Sequence, residues 1–133
     1  MHLKQIEINT KTKTDLIDIT SDIDKIIRES KVKDGICFLF TPHTTGGLTL
    51  NENADPSVRK DILMELNKNI PFQNGYHHTE GNAAAHIKTT LVGSSEVLFI
   101  ESGKLVLGTW QGIFFCEFDG PRRRKILVKI SEA

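Results

Sequence analysis

Five consecutive apolar residues, Ile36-Cys37-Phe38-Leu39-Phe40, stand between Asp34-Gly35 and Thr41-Pro42. Such a run, closed by turn residues on both sides, is too short for a helix and reads as a strand. Its lack of alternation predicts burial on both faces. The rest of the chain must then supply a cover on each side. With 133 residues and no repeat, low-complexity tract or linker, the chain reads as one domain, 1–133.

Around this strand, hydrophobic periodicity lays out the other elements. Leu3–Asn9 and Thr14–Thr20 alternate like strands, and the opening Met1-His2-Leu3 continues the first of them. Ser21 reads as the N-cap of a helix through Ser30, with Ile23, Ile26 and Ile27 on one face. Gly46–Leu50 is a shorter strand. Asp55-Pro56 marks a helix start, a capping carboxylate before a proline at the first helical position. That helix should reach about Asn67 and bury Val58, Ile62, Leu63 and Leu66. Asn82 is placed to cap a third helix, Ala83 to about Leu91, which Gly93 closes. Glu96–Glu101, Lys104–Leu107, Gly112–Phe118 and Arg124–Ile130 read as strands joined by short turns. Helices in the middle and antiparallel strands at both ends predict an α+β fold rather than a doubly wound sheet.

Charge and composition exclude some functions. Hydrophobic residues make up 38% and charged residues 26%, and the formal net charge is +0. No overall field draws the protein to nucleic acid or to an anionic membrane. No apolar run approaches the ~20 residues of a membrane helix, and the N-terminus lacks the apolar centre of a signal peptide. Cys37 and Cys116 both sit in apolar runs, which points to buried, reduced thiols in a cytoplasmic protein, with a single disulfide as the alternative. Dinucleotide, P-loop and nucleophile-elbow signatures do not occur.

Four of the five histidines fall in two polar segments, His43–Asp55 and His77–His86, expected to meet as one site. Thr41-Pro42-His43-Thr44-Thr45 follows the apolar strand directly, where a rigid scaffold holds a loop in place. Asn51 and Asp55 continue that segment; Asp55 is a helix cap whatever else it does. His78, Glu80 and His86 lie among small residues, Gly81 and Ala83–Ala85, that let a ligand approach the backbone. With His43 they make a candidate set for a divalent metal, zinc or magnesium, though the spacing matches no standard motif. The alternative is surface loop histidines. Trp110, between Gly108 and Gly112, could wall a pocket for a flat ligand or plug a subunit contact. Arg122–Arg124 could meet a phosphate or be solvated turn residues paired with acids, and the patch is too short for nucleic acid.

Taken together, Pro42-His43-Thr44-Thr45, Asn51-Glu52-Asn53-Ala54-Asp55-Pro56, His78-x-Glu80-Gly81-Asn82-Ala83-x-Ala85-His86-Ile87-Lys88, Gly108-Thr109-Trp110-Gln111-Gly112 and Glu117-x-Asp119-Gly120-Pro121-Arg122 resemble the YjbQ family over nearly the whole chain. The resemblance implies a compact fold with a mostly antiparallel, β-sandwich-like core and two to three helices, assembled as a homotrimer. It implies a polar pocket with His43, His78 and His86 as the family's histidines, sometimes holding a metal or an anion. It places Glu80, Asn51 and Asp55 among the pocket's polar residues, and Arg122 after its Gly-Pro turn. Members are often labelled secondary thiamine-phosphate synthases, a side capability whose native counterpart is open.

Three functions are therefore weighed. The first is a small-molecule enzyme acting on a phosphorylated metabolite or anion, a transferase such as a thiamine-phosphate synthase. Here His43, Glu80, Asn51 and Asp55 would work in catalysis; Trp110, Arg122, Thr44 and Asn82 would bind ligand; and His78, His86 and His43 would hold the metal. The second is a non-catalytic metal- or ligand-binding homotrimer using the same residues. The third is a structural module in which the histidines only cap and pack.

Overall fold

The computed structural model describes residues 3–133, so Met1 and His2 of the expected first strand lie outside the described residues. Eight strands and three helices follow in the order β1 (Lys4–Asn9), β2 (Asp15–Asp18), α1 (Thr20–Ser30), β3 (Gly35–Phe40), β4 (Gly46–Glu52), α2 (Pro56–Asn69), α3 (Ala83–Val92), β5 (Ser95–Glu101), β6 (Lys104–Leu105), β7 (Gln111–Glu117) and β8 (Arg123–Glu132). They form two antiparallel sheets, β1-β8-β3-β5-β6 and β2-β7-β4. The α+β expectation holds, with the sandwich-like core.

The main core lies between the sheets. Cys37, Leu39, Leu98, Ile100, Ile126 and Val128 of the large sheet meet Leu48, Ile113 and Phe115 of the small one, and Ile19, Ile23 and Ile27 of α1 close the layer. A second cluster covers the other face of the small sheet, where Leu16, Phe114, Cys116 and Phe118 pack on Ala85 of α3, with Ile62, Leu63 and Leu66 of α2 half-buried against them. The strand buried on both faces is therefore β7, not β3. In β3 only Cys37 and Leu39 face the core. Phe38 and Phe40 stand on the outer face, 44% and 47% exposed. A continuous apolar run describes both strands; only β7 receives a helical layer on its far side.

Local rules account for most element ends. Asp55 caps α2 by accepting the Ser57 N–H at 2.9 Å, with Pro56 in the first turn. Ser21 does not cap α1. The Asp18 carboxylate accepts both the Thr20 N–H and its hydroxyl, at 2.9 and 2.6 Å, and the helix starts two residues earlier than expected. α2 has no fully buried residue, because it rides on the rim of the second cluster. Gly93 ends α3 with a φ of 101°. Its carbonyl lies 2.6 Å from where a Cβ on Gly47 would sit, so Gly47 is what allows α3 to pack down on β4. Cys37 and Cys116 are free thiols on different faces of the small-sheet layer, buried as expected.

Phe114 is fully buried between the small sheet and the helices. Phe114→Ala is expected to cost about 3–5 kcal/mol, read as a lower urea midpoint at unchanged slope.

Candidate functional site

Three connections cross from the large sheet to the small one, or back, at the same end of the sandwich. They are residues 10–14 between β1 and β2, 41–45 between β3 and β4, and 118–122 between β7 and β8. The first turn of α3 reaches the same end. Pro42, His43, Thr44, Thr45, Glu80, Asn82, His86, Arg122, Arg123 and Arg124 line a cleft of about 580 Å³ there.

A buried ion pair forms its floor. Glu117 and Arg124 are 0% and 3% exposed. Arg124 Nε donates to Glu117 Oε1 at 2.8 Å, and its Nη2 donates to Glu117 Oε2 and, at 2.9 Å, to the Thr45 hydroxyl. The Thr10 hydroxyl donates to Glu117 at 2.7 Å and accepts the Arg122 N–H at 2.8 Å. All three crossings are thus tied to one carboxylate–guanidinium pair. Burial works against the Glu117 charge. Hydrogen bonds from Arg124, the Asp119 N–H and Thr10 outweigh it and hold the carboxyl below its ordinary range.

Asp119, two residues further on in the crossing that follows β7, is the second organiser. Lys13 Nζ donates to its Oδ1 at 2.7 Å; Asn82 Nδ2 and Arg122 Nη2 donate to its Oδ2 at 2.9 and 2.8 Å. Arg122 Nε also donates to its backbone carbonyl. Burial would raise the Asp119 pKa, but Lys13, Asn82 and Arg122 bring it down to about 2. The fork of Arg122 is therefore pre-aimed, with Nη1 still open. Asn82, expected as a helix cap, stands at the cap position but makes no capping bond with its side chain, which Asp119 holds instead.

Lys125 N–H donates to His43 Nε2 at 2.9 Å, so the imidazole is neutral and carries its proton on Nδ1. Burial, then Arg124 and Lys125, lower the His43 pKa against the opposing pull of Glu117. His78 and His86 stack edge to face with ring centroids 5.3 Å apart, and His78 Nε2 lies 3.8 Å from Glu80 Oε2. The expected metal trio is not assembled as a ligand set. His43 spends Nε2 on Lys125, and among the described residues no group of three or more His, Cys, Asp or Glu side chains is placed to hold an ion.

Of the residues singled out in the sequence, His43, Thr44, Glu80, Asn82, His86 and Arg122 come together, with His78 at the rim. Asn51, Asp55 and Trp110 do not join them. Asn51 pairs with Gly112 at the far end of β4, five residues from Gly46, or about 17 Å at the rise of a strand. There its side chain accepts the Glu52 N–H, Asp55 caps α2, and Trp110 is 63% exposed. Segment His43–Asp55 is thus split by β4 between two ends of the sandwich. Thr10 and Lys13 are site-building residues that the sequence reading missed, and Thr45, Glu117 and Asp119 stood in its motifs with no role assigned. The available signal was a carboxylate inside the apolar run of β7, facing the same side as Asp119.

The Asp119 proton is bound more weakly in the folded than in the unfolded chain. Its stabilisation is complete above about pH 4 and is lost as pH falls toward 2. Asp119→Asn is expected to flatten the acid limb of the stability–pH curve, measured as the urea midpoint from pH 6 downward.

Comparison with known proteins places this arrangement in context. The family model described as UPF0047 protein YjbQ-like matches residues 4–133. A UPF0047 protein of Methanocaldococcus jannaschii is 56% identical over 96% of this chain and 93% of its own. UPF0047 protein YugU of Bacillus subtilis is 45% identical over 96% and 98%. A crystal structure of a YjbQ/UPF0047 family protein from Clostridium acetobutylicum superposes with a TM-score of 0.94 at 53% identity, covering 96% of this chain and 99% of that one. The resemblance carried by the five motifs therefore holds from Lys4 to Ala133, and the chain belongs to the YjbQ-like UPF0047 family.

Proposed function

We propose that the cleft binds a small phosphorylated metabolite or related oxyanion and catalyses a reaction at its phosphoryl end. One observation supports this best. Arg122 and Arg123 stand open beside His43 and His86, while the carboxylates beneath them, Glu117 and Asp119, are already satisfied by internal donors. Among the described residues that line the cleft, Glu80, 74% exposed and 3.8 Å from His78, is the one carboxylate at the rim. Such a cleft attracts an anion, and Arg122, with its fork fixed by Asp119, needs no reorganisation to meet it.

In this reading Arg122 and Thr44 hold the oxyanion, and the neutral His43 donates from Nδ1. His86 exchanges a proton with the reacting group, with Glu80 as its polar neighbour. Joining a pyrimidine diphosphate to a thiazole phosphate, with loss of diphosphate, is one reaction of this class. The charge that develops on the leaving oxygens would fall to Arg122 and Arg123.

Arg122→Ala is expected to weaken inorganic phosphate binding at least about tenfold by calorimetry. His86→Ala should keep binding but lose about 10²- to 10⁴-fold in turnover across a panel of phosphorylated substrates, including the pyrimidine diphosphate and thiazole phosphate pair. Absence of oxyanion binding would overturn the proposal. Binding without turnover on any substrate would favour the non-catalytic reading.

A homotrimer belongs to the same proposal. Phe38 and Phe40 of β3 and Val97 and Phe99 of β5 are exposed on the outer face of the large sheet, where Phe38 pairs with Val97 and Phe40 with Leu127. An apolar patch of this kind calls for a partner surface. Phe40 immediately precedes the His43 loop, so a second copy on this face would stand beside the cleft. It could there supply Asn51, Asp55 or Trp110. Light scattering should give a trimer, and Phe38→Ser/Phe99→Ser should give a folded monomer. A monomeric wild type would refute the assembly. Mixing Arg122→Ala with Asp55→Ala chains should restore activity only if the site is shared.

A further inference from the structure

Lys88, on the second turn of α3, is 0% exposed. Its ammonium donates to Asn67 Oδ1 and, among the described residues, has no carboxylate partner. Burial, and then the charge of Lys13, lower its pKa. Asn67 gives one acceptor to a group with three N–H bonds. The rest of the compensation comes from the ring of Phe72, whose centroid lies 4.3 Å from Nζ. Lys13 Nζ stands over the same ring at 4.9 Å while it donates to Asp119. Phe72 is thus held by two ammonium groups, one buried on α3 and one at the surface in the crossing 10–14.

Phe72 belongs to the connection between α2 and α3, which delivers Glu80 to the cleft wall and His78 to the ring of His86. Among the described residues, no hydrogen bond joins residues 71–81 to the rest of the chain. The one from the Tyr76 hydroxyl to the Pro71 carbonyl stays within the segment. Its side chains are exposed apart from Pro71, Phe72 and Tyr76, which are half-buried. Gly75 and Gly81 have φ of 67° and 81°, and a Cβ on either would meet nothing within 4 Å. They serve backbone conformation rather than space, and they join 76–80 to the chain through permissive residues at both ends. A segment with so few ties takes its position from the contact at its root. We propose that Lys88 is a positioning residue for the cleft: through the ring of Phe72 it clamps the root of the 71–81 strap and so sets His78 and Glu80 against His86. This rests on the reading above only in taking His86 as the group that exchanges a proton.

The test follows the contact between the two imidazoles, whose centroids are 5.3 Å apart, as a nuclear Overhauser effect between their ring protons in the full chain. Lys88→Met keeps the length of the side chain and removes the charge. Phe72→Leu keeps apolar bulk and removes the ring. Both are expected to lose the His78–His86 effect, while Phe72→Tyr, which retains a ring face, keeps it. Inorganic phosphate, titrated by calorimetry into the same proteins, is expected to bind each within about fivefold of wild type, since the displaced Glu80 is an exposed charge. An effect that is absent from the wild type, persists in folded Lys88→Met or Phe72→Leu, or vanishes in Phe72→Tyr as well would overturn the clamp and leave the oxyanion reading standing. So would a phosphate affinity that falls at least about tenfold in Lys88→Met and not in Phe72→Leu, because Lys88 would then act on the ligand as a charge. Should Lys88→Met not fold, the two Phe72 variants decide. A wild type that binds no phosphate removes the oxyanion reading, and the imidazole contact still judges the clamp.

Discussion

The pair of Glu117 and Arg124 is the interaction on which the rest of this end of the molecule depends. Two charges held away from water are costly unless every lone pair and every N–H has a partner. Here the partners come from three separate chain crossings: Thr10 from the first, Thr45 from the second, and the Asp119 N–H from the third. Removing either charge would leave the other stranded, at a cost of about 3–5 kcal/mol. The demand for satisfaction is what fixes the corners against one another. A pair of apolar residues of similar size would fill the space without specifying how the three crossings meet.

Asp119 extends that order from the interior to the surface. It is buried itself, but two of its donors, Lys13 and Arg122, have side chains that are about half exposed. Its third donor, Asn82, sits at the foot of the helix that carries His86. One carboxylate therefore sets the direction of a guanidinium and of a carboxamide at the same cleft. The entropy of positioning these groups is spent during folding, not when a ligand arrives. A surface arginine free to sample its rotamers would give less on binding.

Much of the fold was legible because its signals are local. Asp55-Pro56 starts a helix and Gly93 ends one through chemistry within a single turn. Legibility failed wherever a distant partner decided the outcome. Ser21 was passed over because Asp18 reached the helix start first. Asn82 was drawn off its capping role by a carboxylate 37 residues away. The runs at Ile36–Phe40 and Ile113–Phe118 look alike, and only the placement of α2 and α3 gives one of them a second cover. His43 and Asp55 are near in sequence but separated by the length of a strand. Glu117 and Arg124, seven apart, are joined by a corner between two sheets. Clustering along the chain identified the histidines and Arg122. It could not say that β4 would carry Asn51 and Asp55 away.

The close approach of Gly47 to Gly93 has a mechanical consequence. The Leu48 N–H donates to the Gly93 carbonyl at 3.1 Å, so the end of α3 remote from the cleft is pinned to β4. At its other end the helix is held by Asp119, which accepts from Asn82 at 2.9 Å. Ten residues of α-helix span about 15 Å, so α3 is a strut fixed at both ends that sets how far His86 stands from its seat on β4. The absence of one methyl group on β4 thus sets the height of that seat.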